Sequence, residues 1–130
     1  MKSPANKRVL LVDDDVLQTY LTKTMLSERY EVLTAANGYE AVKLIESQAF
    51  DVVLMDIHLG DEDLDGFKLM QYMRGNCGNK NLDIIAFTGT AEERAYYLSQ
   101  GFDEVIEKPV LSNQVFNIIE RSFDAKLPAA

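Results

Sequence analysis

A chain of 130 residues, 47% hydrophobic and 26% charged, is long enough for one domain with a real core and has the make-up of an ordinary globular protein. Thirteen basic against 21 acidic residues leave a net charge of −8, which argues against direct nucleic-acid binding, since that needs a basic patch. The single cysteine, Cys77, excludes an intrachain disulfide, no apolar run approaches the length of a membrane span, and Met1-Lys2-Ser3-Pro4 lacks the apolar centre of a signal peptide, so a cytoplasmic location is expected.

Residues 1–7 are polar and read as a loose lead-in. Val9-Leu10-Leu11-Val12 predicts a first strand over 8–13, ending in Asp13-Asp14-Asp15. Asp15 suits an N-cap, with Gln18 three residues on as in a capping box, and Leu17, Leu21 and Met25 at helical spacing predict a helix over 16–28. A second strand follows at Glu31–Ala35, then a helix capped by Asn37, with Glu40 near its start, running to about Gln48. The third strand, 51–56, is the most apolar and ends in Asp56. A polar loop over 58–65 leads to a helix at about 66–74, and a turn-rich loop over 75–81 to a fourth strand at 82–88, ending in Thr88. Thr90 with Glu93 predicts a third capping box, its helix stopped after Gln100 by Gly101. A short fifth strand at 104–107 runs into Lys108-Pro109, a last helix spans Ser112 to about Phe123, and a tail occupies 125–130.

Five short apolar runs alternating with five helix-length stretches predict an α/β fold with a doubly wound parallel sheet. Ligands of such sheets bind outside the carboxyl ends of the strands. Asp13, Asp14, Asp56, Thr88 and Lys108 would therefore converge on one edge. Adjacent acids at the end of a buried strand repel each other and are costly to desolvate unless a cation offsets them, and hard carboxylate oxygens suit Mg2+. The plainer alternative is that Asp13–Asp15 opens a loop and caps the next helix, which Asp15 fits well. Asp56 is the candidate nucleophile, because a carboxylate can attack a phosphoryl group, although a lone strand-end acid is more often a cap. Thr88 and Lys108 are the donors that a transferring phosphoryl group needs; read singly, they are a β-branched strand residue and a surface lysine.

From about residue 7 to 124 the chain resembles the receiver domain of two-component response regulators. The resemblance rests on Val9-Leu10-Leu11-Val12-Asp13-Asp14-Asp15, Val52-Val53-Leu54-Met55-Asp56-Ile57, Asp65-Gly66, Thr88 and Lys108-Pro109, in that order. It implies a flavodoxin-like (βα)5 unit over 8–124 with strand order 2-1-3-4-5. It makes Asp56 the phosphoacceptor, and Asp13, Asp14, Asp56 and the backbone carbonyl of His58 the ligands of Mg2+ or Mn2+. Lys108 and Thr88 would hold the phosphoryl group, delivered from a phosphohistidine on a histidine kinase or histidine phosphotransfer domain. Output would pass through the face of the fourth helix, fifth strand and fifth helix, which also allows a homodimer. Such a chain promotes its own phosphorylation and dephosphorylation and is not a turnover enzyme.

Three departures from the pattern stand out. The usual proline four residues after the acceptor is Gly60, in a loop about two residues longer than usual. Val105 stands where many receivers carry an aromatic, so the coupled threonine–aromatic switch does not carry over, and Gly89 replaces the commoner alanine after the threonine. The Gly60 loop and Val105 look more like receivers attached to hybrid sensor kinases, which would make the chain the cytoplasmic part of a membrane-bound protein.

Rival readings are weaker. Asp61-Glu62-Asp63-Leu64-Asp65-Gly66 mimics half of a calcium loop, but position twelve is Tyr72 rather than glutamate. Asp13-x-Asp15 mimics a haloacid-dehalogenase-type phosphatase, which wants Thr or Val where Leu17 stands. A phosphorylation-independent interaction module is the third reading. Of Tyr96 and Tyr97, helical spacing leaves one facing outward.

Overall fold

The computed structural model describes residues 7–57, 65–76, 81–88, 93–108 and 112–125. Strands and helices alternate: β1 (Arg8–Val12), α1 (Val16–Leu26), β2 (Glu31–Ala35), α2 (Gly38–Ser47), β3 (Val52–Asp56), α3 (Gly66–Asn76), β4 (Asp83–Thr88), α4 (Arg94–Gln100), β5 (Glu104–Glu107) and α5 (Ser112–Ala125). All pairings are parallel and the order is β2-β1-β3-β4-β5, as expected. Every residue of β3 and β4 is buried, the mark of strands covered on both faces.

Successive residues on a strand point to opposite faces, and this divides the core in two. Leu10, Val12, Val53, Met55, Ile84 and Ala86 meet Ala41 and Ile45 of α2, Leu69, Met70 and Met73 of α3 and Tyr97 of α4. Val9, Leu11, Val52, Leu54, Ile85 and Phe87 meet Leu26 of α1 and Val115, Phe116 and Ile119 of α5. From β1 the chain steps outward to β2, then back across β1 to β3. The order therefore reverses between β1 and β3, the switch point where such sheets open a crevice.

α1 forms where predicted; of Leu17, Leu21 and Met25 at helical spacing, only Met25 packs in part against the core. Leu17 and Leu21 are 66% and 55% exposed, while Thr22 and Leu26 are buried. Leu26 packs in the α5-side core, so docking on the sheet, not apolar spacing, selected the inner face. The capping boxes are also only half formed. Asp15 accepts from the Gln18 N–H at 3.0 Å, but the Gln18 amide donates forward to Thr22 Oγ1. Asn37 accepts from the Glu40 N–H at 2.9 Å, while Glu40 reaches back one residue further, to the Ala36 N–H. Thr90 lies outside the described residues, and Glu93 before α4 makes no side-chain cap bond. Gly101 ends α4 at φ 121°, a left-handed conformation that favours glycine. Tyr97 is buried and Tyr96 half exposed, as spacing required. No helix among the described residues is long and apolar enough to cross a membrane.

Candidate functional site

The strand register brings the candidate residues together. Val12 pairs with Met55, and Thr88 with Glu107, so Asp13, Asp56, Thr88 and Lys108 all sit at neighbouring strand ends around the switch point. The Asp13 N–H donates to the Ala35 carbonyl at 3.1 Å, extending the β1–β2 ladder by one step and fixing the acid's backbone. Asp13 Oδ1 accepts from the Asp15 N–H at 3.0 Å, and Thr19 Oγ1 donates to the Asp13 carbonyl at 3.3 Å. The Lys108 N–H donates to the Thr88 carbonyl at 2.8 Å, which carries the lysine into the same edge.

Asp13 and Asp56 are buried, Asp14 is exposed, and the three offer carboxylate oxygens within 4.8 Å of one another. Lys108 Nζ lies 3.3 Å from Asp13 Oδ2 and 3.3 Å from Asp56 Oδ2. Burial by itself lowers the Lys108 pKa, but attraction to Asp56 and Asp13, with hydrogen bonds to both, outweighs it and leaves the ammonium held above its ordinary value. One ammonium against three carboxylates leaves a formal −2, two of the acids being buried where unbalanced charge is costly. A hard divalent cation matches both the charge and the all-oxygen donor set, so these residues could hold one. A cleft of about 170 Å³, lined by Asp13, Asp14, Val16, Thr19 and Glu40 among others, opens beside Asp13 and Asp14 on the β2 side.

Of the expected site, the structure assembles Asp13, Asp14, Asp56 and Lys108, with Thr88 buried at the adjoining strand end. His58 lies outside the described residues, as do Gly60, Gly89 and Asp61–Leu64. Asp15 is a cap, and so is Asp65, whose Oδ1 accepts from the Lys68 N–H at 2.9 Å; Asp65 is thus engaged in starting α3. Val105 is buried in the core cluster that holds Tyr97 and Phe102. Thr19 was missed by sequence reasoning, and a hydroxyl one turn into α1 offers no local signal that it anchors a strand end. Gly66 was noted only as part of a motif; a glycine opening a helix is unfavourable on propensity, and that was the available clue to a close contact.

A doubly wound sheet with clustered acids and one lysine at its switch point defines a receiver-like protein. The chain belongs to the response regulator receiver domain family, whose model matches residues 9–120. It is 32% identical over 118 residues to the sensor protein GacS of Pseudomonas syringae, covering 86% of this chain and 13% of that protein. It is 34% identical over 122 residues to the CAI-1 autoinducer sensor kinase/phosphatase CqsS of Vibrio cholerae, covering 88% and 18%. The chain thus spans less than a fifth of the length of these two curated relatives. Among solved structures, the receiver domain of a sensor histidine kinase from Pseudomonas aeruginosa matches with a TM-score of 0.82 at 28% identity, covering 92% of this chain and 99% of that one. That structure holds a magnesium ion in its active-site cleft.

Proposed function

We propose that this chain is a phosphoacceptor in a histidine-to-aspartate phosphorelay, with Asp56 as the residue phosphorylated and residues 8–124 as the receiver unit between a lead-in at 1–7 and a tail at 125–130. The observation that carries the reading is Lys108 Nζ, held 3.3 Å from oxygens of both Asp13 and Asp56 at the switch point. Asp56 attacks the phosphorus of a phosphohistidine; the new P–O bond forms as the N–P bond breaks, and the electron pair returns to the imidazole. Lys108 already lies beside the attacking carboxylate and would neutralise a phosphoryl oxygen there, with the Thr88 hydroxyl as a second donor. Asp13, Asp14 and Asp56, with the backbone carbonyl of His58, would hold Mg2+ or Mn2+, which supplies positive charge against the phosphoryl oxygens. Transfer to water or to a downstream histidine ends the cycle, so the chain is not a turnover enzyme.

The donor would be a histidine kinase or histidine phosphotransfer domain, in the cytoplasm, acting on this receiver either alone or as part of a longer sensor kinase. Val16, Leu17, Tyr20 and Leu21 form an exposed apolar stripe on α1, and Val16 lines the cleft beside Asp13 and Asp14. A donor reaching Asp56 would meet that stripe. The α4–β5–α5 face would carry output, as a partner surface or homodimer contact.

The test is intact-mass measurement after incubation with a small phosphodonor and Mg2+. Wild type gains one phosphoryl group and Asp56→Asn does not. No gain on wild type returns the chain to the reading of an interaction module, and an unchanged gain in Asp56→Asn moves the acceptor elsewhere.

A further inference from the structure

The start of α3 lies against the acceptor strand with no room between them. A Cβ placed on Gly66 would fall 2.8 Å from the Asp56 carbonyl oxygen, 2.9 Å from Ile57 Cα and 3.1 Å from the Ile57 carbonyl oxygen. All three are backbone atoms, so no side-chain end can swing aside. Gly75, in the same helix, has nothing within 4 Å of such an atom. Backbone strain plays no part, because the one described glycine with positive φ is Gly101.

Neither side of this contact can retreat cheaply. α3 is pinned to the core by Leu69, Met70 and Met73, each at most 1% exposed. Its first turn is fixed by the Asp65 cap on the Lys68 N–H and by the Leu69 N–H bond to the Asp65 carbonyl at 2.9 Å. On the other side, Asp56 ends β3 in register with Phe87, and the Ile57 N–H donates to the Phe87 carbonyl at 3.3 Å. The Gly66 N–H in turn donates to the Ile57 carbonyl at 3.3 Å, joining the two backbones directly. The contact thus falls on the last rung of β3, on the backbone that carries the Asp56 carboxylate.

We propose that Gly66 is a positioning residue for the acceptor: its missing Cβ lets α3 abut the Asp56–Ile57 backbone and so sets where the Asp56 carboxylate faces Asp13, Asp14 and Lys108. The proposal rests on the reading of Asp56 as phosphoacceptor. A methyl group at residue 66 shifts the β3 end and spoils the spacing of the three acids, whereas the same methyl group at residue 75 does not reach the site.

Gly66→Ala and Gly75→Ala are compared with wild type by Mg2+ titration calorimetry, phosphorylation rate with a small phosphodonor, and circular dichroism. Displacements of about 1 Å at reacting groups can cost a hundredfold. Gly66→Ala is therefore expected to lose on the order of ten- to a hundredfold in both Mg2+ affinity and rate while retaining its helical spectrum, with Gly75→Ala matching wild type. Full Mg2+ affinity and rate in Gly66→Ala, or an equal loss in Gly75→Ala, overturns the proposal alone. A wild type that takes up no phosphoryl group overturns the acceptor reading with it. If Gly66→Ala does not fold, amide exchange on the wild-type chain decides: added Mg2+ slows exchange at Gly66 relative to Gly75 if the contact is coupled to the site, and equal exchange at Gly66 with and without Mg2+ overturns it.

Discussion

The two edges of the sheet handle their charges differently. At the amino-terminal edge, Asp51 and Asp103 are used up locally. Asp51 Oδ2 accepts from the Arg8 N–H at 2.8 Å, and Arg8 also pairs with Glu31. Asp103 Oδ2 accepts from the Ile84 N–H at 2.8 Å and from Arg74, which in turn donates to the Leu82 and Gly101 carbonyls. Each of these carboxylates holds a strand end or a turn. At the carboxyl-terminal edge, three acids crowd around one lysine and excess negative charge remains. The first arrangement explains itself as stability; the second fits the proposed binding of a cation and a phosphoryl group. Three acids gathered around one lysine at the strand ends of the switch point are the physical mark of the proposed site.

The contrast can be broken most directly at Asp56. Asp56→Asn is expected to abolish phosphoryl uptake by intact mass, whereas Asp103→Ala at the opposite edge is expected to leave uptake intact. Saturating Mg2+ should raise the unfolding free energy of wild type by about 2–3 kcal/mol at a hundredfold excess over Kd, read as a shift in thermal midpoint, and should do so far less in Asp14→Asn. Asp103→Ala removes an acceptor from the Ile84 N–H and is expected to cost about 1–3 kcal/mol by urea unfolding, with Mg2+ binding unchanged. Asp14→Asn has the opposite sign: with less like charge at the site, the metal-free protein gains about 0.5–1 kcal/mol. Destabilisation of the metal-free protein by Asp14→Asn would erase the distinction between the two edges.

The smallest effect concerns alkaline pH and lies away from both edges. Burial pushes the Tyr30 phenol well above its ordinary value, and its hydrogen bond to Glu120 at 2.5 Å adds to the rise. A folded pKa above the unfolded one means the fold prefers the neutral phenol. That stabilisation is complete below the unfolded value of about 10 and is lost as pH climbs toward the folded value. Tyr30→Phe should therefore flatten the decline in stability above about pH 10, measured by urea midpoints across that range. The raised Lys108 pKa acts in the same direction, so a residual slope should remain in Tyr30→Phe and shrink in Lys108→Met.

Much of this protein is legible in the order of its residues because the relevant physics is local. Strands covered on both faces must be continuously apolar, so Val9–Val12, Val52–Met55 and Ile84–Phe87 announce themselves, and the polar residue after each marks the edge where a parallel sheet binds ligands. Asp15 and Asn37 cap helices because a short polar side chain reaches its own backbone within three residues. What tertiary structure alone decided depends on contacts between distant segments. Which face of α1 turns inward depends on its seat against the sheet and α5, so Thr22 and Leu26 are covered while Leu17 and Leu21 stay in water. The bridge from Lys108 to Asp13 spans 95 residues, and the abutment of Gly66 on Asp56 closes over a loop; neither distance is written in any local pattern. Chain order thus determined which groups reach the edge, and packing determined how far apart they stand, because spacing at a site is set by whole elements pressed together and not by the residues that carry the chemistry.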